Sequence, residues 1–206
     1  MKILVLGATG RVGSRVVVHA LRDGHHVTAL VRNPEKMTLR DENLQIVQGN
    51  VLNKQDVERA MSGMDIIIST LNTDQTTTLS ESMPLILEAM EKENIKRILT
   101  VGTAGILQSR TTPDVLRYQS AESKRKLTRA AEEHHKAYEI LNQSDCDWTI
   151  VCPTYLPDGE LTGTYRVERD FLPEGGTVIS VEDTADFTYQ QITSTEFLKA
   201  RVGIAY

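Results

Sequence analysis

Short apolar runs along the chain alternate with longer stretches in which apolar residues recur at helical spacing. Lys2–Leu6 is a β-rich apolar run that stops at glycines, and Arg11–Asp23 follows with Val12, Val16, Val17 and Ala20 at helical spacing before Gly24 halts it. The alternation then repeats. Strands are predicted at His26–Val31, Leu44–Gln48, Asp65–Ser69, Arg97–Val101 and Trp148–Cys152, and helices at Gln55–Ser62, Leu79–Glu93 and about Arg117–Gln143. Strands that alternate with helices need crossover connections, which produce a parallel sheet covered on both faces. The pattern therefore predicts a doubly wound α/β fold.

After Pro153 the punctuation changes. Pro153, Pro157, Pro173, Gly159, Gly163, Gly175 and Gly176 are too many breakers for another strand–helix unit. A strand at Thr177–Ser180, a helix from about Glu182 to Ser194 and a last strand at Val202–Tyr206 are expected beyond them. No linker or repeat divides the chain, so residues 1–206 read as one domain in which residues 153–176 form a small C-terminal cap over the sheet edge.

Composition narrows the class. A chain of 206 residues with 40% apolar and 25% charged residues suits one ordinary globular domain. Thirteen glycines and six prolines exclude a collagenous chain, and two cysteines, Cys146 and Cys152, exclude a disulfide scaffold. The opening MKILVLGATG is far short of a signal peptide's apolar core, and no apolar span could cross a bilayer, so a cytoplasmic protein without a membrane partner is expected. A net charge of −5 argues against nucleic acid as partner. The charge is uneven, however. Lys2, Arg11, Arg15, Arg22, Arg32, Lys36 and Arg40 face only Asp23 and Glu35 in the first forty residues. A small anionic ligand there and chance scatter explain this equally well.

The first turn, G-A-T-G-R-V-G, supplies a candidate for that ligand. Gly7, Gly10 and Gly13 lie between a strand and a helix, where glycine permits a tight turn, close approach of backbone N–H groups to a pyrophosphate, and helix–strand packing. Thr9, Arg11 and Val12 fill the same turn. The second strand ends in Arg32, where an NAD-binding domain usually places an acid for the ribose hydroxyls. A guanidinium cannot accept those bonds but pairs with a 2′-phosphate, so NADP(H) is expected over NAD, with Arg11 and Lys36 adding charge. Asn50 and Val51, after the third strand, are placed at the adenine edge, with Asn50 accepting from the exocyclic amine. Leu71 and Asn72, after the fourth, are placed beside the adenosine ribose and pyrophosphate.

GATGRVG, LVRNPEK, GNVLN, VGTAG, HKAYEILNQSDCDWTIVCP and above all ELTGTYRVE together resemble the biliverdin-IXβ reductase/flavin reductase group, a branch of the atypical short-chain dehydrogenase/reductase (NmrA-like) proteins. The resemblance implies a Rossmann-type fold and NADPH-dependent hydride transfer to a planar acceptor: a flavin, a biliverdin-like tetrapyrrole or a quinone. It also places Pro153 at the cofactor and two residues at the acceptor. Thr103 stands where the reductases have serine, and Tyr155 where they have histidine. Tyr155 keeps an aromatic ring for stacking, but a phenol is a poorer proton donor near neutrality than an imidazolium. The short-chain dehydrogenase pair of Tyr and, four residues on, Lys is missing, since Tyr118 is followed at that spacing by Glu122 and Lys124 is out of phase. This counts against epimerase and alcohol dehydrogenase chemistry. A flat acceptor asks mainly for alignment of two rings. The alternative is an NmrA-like sensor that binds NADP(H) without turnover; the TGTY run favours an acceptor pocket.

No metal site is expected. His134 and His135 are adjacent and so point about 100° apart on a helix, unable to share an ion. They read as helix surface on a helix whose Leu127, Ala131, His134, Tyr138 and Leu141 turn inward. Cys152 reads as core, and Cys146 as part of an exposed turn.

Overall fold

The computed structural model describes residues 1–73, 75–123 and 127–206. Its elements, in chain order, are β1 (Lys2–Leu6), α1 (Arg11–Arg22), β2 (His26–Val31), β3 (Leu44–Gln48), α2 (Lys54–Met61), β4 (Ile66–Ser69), α3 (Thr78–Lys92), β5 (Arg97–Val101), α4 (Arg129–Asn142), β6 (Asp147–Pro153), β7 (Arg166–Arg169), α5 (Val181–Gln190) and β8 (Ala200–Ala205). One eight-stranded sheet in the order β3-β2-β1-β4-β5-β6-β8-β7 joins them. All pairs are parallel except β7 with β8. The order reverses between β1 and β4, which opens a crevice at the strands' C-terminal ends as in dinucleotide-binding folds. The doubly wound α/β architecture is the one the hydrophobic pattern implies.

Both faces of the sheet are dry. Leu4, Leu6, Ile67 and Ile98 point into one core with residues of α2, α3 and α4. Ile3, Val5, Ile66, Ile68 and Leu99 point into the other, beneath α1 and α5. Consecutive residues of one strand thus feed opposite layers, which is why the strands read as continuous apolar runs.

Four expectations fail on the C-terminal side. The helix expected over residues 117–143 is a short 3-10 turn at Arg117–Gln119 and, separately, α4. Serine chemistry explains the break: the Ser120 hydroxyl donates to Arg117 O at 3.0 Å and accepts from Glu122 N at 3.3 Å, offering the backbone a turn in place of a helix. Lys124 lies outside the described residues. Leu127, expected inside, is 88% exposed. Thr177–Ser180 is no strand; it makes a single bridge, Val178 to Tyr155, because Ser180 already caps α5 by accepting from Asp183 N. Finally, the segment assigned wholly to a cap contributes β7, whose short, charged RVER sequence hides an edge strand.

Candidate functional site

The glycine turn is built as its spacing implies. Gly7 has φ +81°, and a Cβ there would lie 2.7 Å from Thr70 O. A Cβ on Gly13 would lie 2.2 Å from Gly7 O and 2.4 Å from Thr70 Oγ1, so α1 can seat on the ends of β1 and β4 only with glycine at this position. Thr70, which the sequence reading passed over, fixes the turn: its hydroxyl lies 3.0 Å from Leu6 O and 3.1 Å from Gly7 O. Leu6 stands opposite Ser69 in the sheet, which brings Thr70 beside the turn.

Gly10 is the N-cap of α1 and offers no side-chain cap, and the first turn of the helix holds no acid. The helix N-terminus is therefore a bare, positively polarised backbone surface, which fits a pyrophosphate. Thr9, Gly10 and Arg11 line a cleft of about 320 Å³ there, closed on the far side by Asp158, Gly159 and Glu182. Val12 is buried in the core under α1. Arg11, expected to reinforce Arg32, instead donates to Leu156 O and lies 3.5 Å from Asp158, which ties the glycine turn to the segment after β6.

The residues expected to meet adenosine lie just past β2, β3 and β4. Leu30 stands opposite Leu6, so Arg32, exposed just past β2, shares an edge with the glycine turn. Lys36 is exposed on a 3-10 turn nearby in sequence. Asn50 is exposed, but its Oδ1 accepts from Leu52 N at 3.0 Å, so the amide side is turned outward as a donor and not, as expected, as an acceptor. Val51 and Leu71 pack toward the apolar core, Leu71 only partly buried; Asn72 is exposed, with Oδ1 accepting from Thr73 N at 2.8 Å. Side-chain recognition from Val51 and Leu71 is thus confined to apolar contact.

Thr103 and Tyr155, fifty-two positions apart, meet at the ends of β5 and β6. They line one cleft of about 380 Å³ with Pro153, Ala104, Ala131 and Thr177. Gly102 N donates to Val151 O at 2.7 Å, holding the two strand ends together. Thr103 Oγ1 accepts from Gly105 N at 3.3 Å, and Ile179 N donates to Tyr155 O at 3.0 Å. Tyr155 is 63% exposed, and its hydroxyl has no hydrogen-bond partner among the described residues. Residues 153–159 thus run between two clefts, one at the glycine turn and one at Thr103.

The ELTGTY run does a different job from the one expected. Asp183, fully buried on α5, accepts from Thr162 N (2.9 Å), Thr162 Oγ1 (2.7 Å), Gly163 N (2.8 Å) and Tyr206 Oη (2.6 Å). Burial raises this carboxyl, but the bonds from Tyr206, Gly163 and Thr162 outweigh burial and hold it below the usual aspartate range. The run therefore anchors the segment to α5, and none of Thr162, Gly163, Thr164 or Tyr165 lines the cleft at Thr103.

Four histidine and cysteine residues on the α4 side of the sheet complete the surroundings. His134, one of the residues expected to turn inward on its helix, borders an interior void of about 20 Å³ with Ser69 and Thr100, room for one water. Burial brings its pKa down to about 4, so the imidazole is neutral at physiological pH. His135 Nδ1 lies 3.0 Å from Tyr118 Oη, a partner that spacing along the chain did not reveal. Cys152 is buried, its thiol pushed up to about 12, and Cys146 is half-buried; no cluster suited to a metal exists among the described residues. No helix among them is long and apolar enough to cross a membrane.

Known proteins share this architecture. The uncharacterized protein YwnB of Bacillus subtilis is 25% identical, over 99% of this chain and 98% of its own. The Streptomyces griseus (4-alkanoyl-5-oxo-2,5-dihydrofuran-3-yl)methyl phosphate reductase is 28% identical over 73% of this chain, which spans only 46% of that enzyme. A crystal structure of a Bacteroides thetaiotaomicron protein, provisionally named an epimerase, superposes with a TM-score of 0.86 at 29% identity, covering 100% of this chain and 96% of that one. The family model described as NAD(P)H-binding matches residues 7–195, from the first glycine of the turn to beyond α5. With its bare helix N-terminus, its Gly7–Gly13 packing and that match, the chain belongs to the NAD(P)H-binding family of Rossmann-fold proteins.

Proposed function

We propose that the protein is an NADPH-dependent reductase whose acceptor is a planar conjugated molecule seated in the cleft between Thr103 and Tyr155. The observation that carries this reading is the position of that cleft. It opens at the C-terminal ends of β5 and β6, beside the crevice that the glycine turn flanks, and its wall of Ala104, Ala131, Pro153 and Tyr155 is apolar.

The dinucleotide supplies the hydride when bound. The chain's residues supply placement: the N-terminus of α1 receives the pyrophosphate over Gly10, Thr70 keeps Gly7 in its turn, and Arg32 meets the 2′-phosphate. Asn50 offers a donor to the adenine, while Asn72 borders the ribose. Thr103 and Tyr155 orient the flat ring and exclude water from its face, which favours alignment. The sequence holds no tyrosine with a lysine four residues on for hydroxyl oxidation, and solvent can protonate a reduced flat acceptor. The relatives that carry a reductase's name agree with this chemistry.

The test is a panel of flavins, quinones and linear tetrapyrroles with NADPH, followed by loss of nicotinamide absorbance. Turnover with at least one planar acceptor is expected. Tight NADPH binding with no turnover on any of them would replace the enzyme with a redox sensor.

A further inference from the structure

One charged side chain in the acceptor cleft has no role in the account so far. Arg117 lines the cleft from the excursion between β5 and α4, and its side chain is only 19% exposed. Its backbone is fixed, since Arg117 N donates to Leu107 O at 2.8 Å. Its guanidinium, with five N–H donors, makes no hydrogen bond among the described residues. The carboxylate facing it, Glu122, stands 3.7 Å away, beyond hydrogen-bond reach, and is itself 13% exposed. Glu122 already accepts from Arg110 N at 3.1 Å. Glu122 thus balances part of the charge and holds the guanidinium in place without saturating it.

A guanidinium four-fifths removed from water normally has its donors satisfied. The groups that satisfy its planar fork are carboxylates and phosphates, which it binds bidentately. Across the same cleft, Ala104, Pro153 and Tyr155 suit the face of an apolar ring. We infer that the acceptor is a flat conjugated ring bearing an anionic arm, phosphate or carboxylate, and that Arg117 is the residue that selects it. This rests on the reductase reading of the cleft and narrows it, setting such acceptors apart from neutral quinones.

Matched pairs of ligands isolate the arm from the ring. FMN and riboflavin share one ring system and differ by a phosphate; a linear tetrapyrrole dicarboxylate and its dimethyl ester differ by two carboxylate charges. Binding to the NADP⁺-loaded protein is read by flavin fluorescence quenching or tetrapyrrole absorbance, so the result does not depend on turnover. FMN should bind more tightly than riboflavin, and the diacid more tightly than its ester. Arg117→Gln should weaken the anionic member of each pair by about 10- to 100-fold and the neutral member by less than about twofold. Arg117→Lys should recover part of the loss, and Glu122→Gln, which removes the competing charge, should strengthen FMN binding. Added salt should weaken FMN binding in the unmutated protein more than in Arg117→Gln. Equal affinity for FMN and riboflavin, equal losses for both in Arg117→Gln, or no binding of any of the four overturns the inference. Failure of the reductase reading has a different signature: discrimination between FMN and riboflavin without NADPH oxidation.

Discussion

Asp183→Asn tests whether the segment between β6 and α5 is held by one buried carboxylate. The substitution keeps the shape and removes the charge from a fully buried group that accepts four hydrogen bonds at 2.6–2.9 Å and a fifth, from the Ser180 hydroxyl, at 3.1 Å. An asparagine can keep its oxygen toward the Thr162 and Gly163 N–H groups and turn its amide toward the Thr162 and Tyr206 hydroxyls, which can rotate to accept. What is lost is charge assistance, about 1 kcal/mol per bond, partly recovered because an amide is cheaper to bury than a carboxylate. The net cost should be about 2–3 kcal/mol, a drop of roughly 4–12 °C in Tm for a chain of this size. The pH dependence gives an independent check. A carboxyl held below its unfolded value contributes fully above that value and loses its contribution as the pH falls through the lowered folded value. The stability difference between the unmutated protein and Asp183→Asn should therefore be constant near neutrality and shrink below about pH 4. Urea or thermal unfolding at a series of pH values measures both. A variant that melts within about 1 °C of the unmutated protein at pH 7, or a gap that widens on acidification, refutes the anchor.

Further outcomes follow from the cofactor side. Arg32→Ala should weaken NADPH binding by roughly 10- to 150-fold and leave NADH nearly unchanged, and titration of the unmutated protein with both cofactors checks the premise, since equal curves would contradict it. Gly10→Val should fold, because Gly10 has φ −78° and is exposed, yet it should lose NADPH affinity by covering the end of α1; Gly13→Ala, whose Cβ would sit 2.2 Å from Gly7 O, should instead lower Tm, and the reverse ranking in calorimetry would show the glycine roles to be misassigned. Thr103→Val and Tyr155→Phe should each lower acceptor reduction by about ten- to a hundredfold through misalignment, with the pH–rate profile unchanged. A limb of that profile abolished by Tyr155→Phe would make Tyr155 the proton donor.

The β/α alternation was legible because each parallel strand is buried on both faces and its apolar run is uninterrupted, as in Ile66–Ile68. The glycine turn was legible because its residues are neighbours in sequence. Legibility fell wherever long-range partners decide the outcome. Nothing local distinguishes Arg166–Arg169 from a loop; it is a strand because Arg166 and Arg169 pair with Ala205 and Val202 of β8. Asp183 looks like an ordinary acid in a helix's first turn until Thr162, Gly163 and Tyr206 converge on it from elsewhere in the chain. Arg117 was read as part of a helix, and only the turn formed through Ser120 and Glu122 presents it to the cleft. Asn50 reads from sequence as an acceptor, but its Oδ1 is taken by Leu52 N, a bond that is a property of the folded turn.

Hydride transfer from a dinucleotide held at the glycine turn to a planar acceptor in the Thr103–Tyr155 cleft is tested most directly by single-turnover mixing of protein preloaded with NADPH, deuterated in turn on each face of the nicotinamide C4, against an excess of acceptor. Loss of nicotinamide absorbance and bleaching of the acceptor should share one rate constant, slowed by deuterium on one face alone. Constant nicotinamide absorbance with every acceptor, or two signals with unrelated rates, would contradict it.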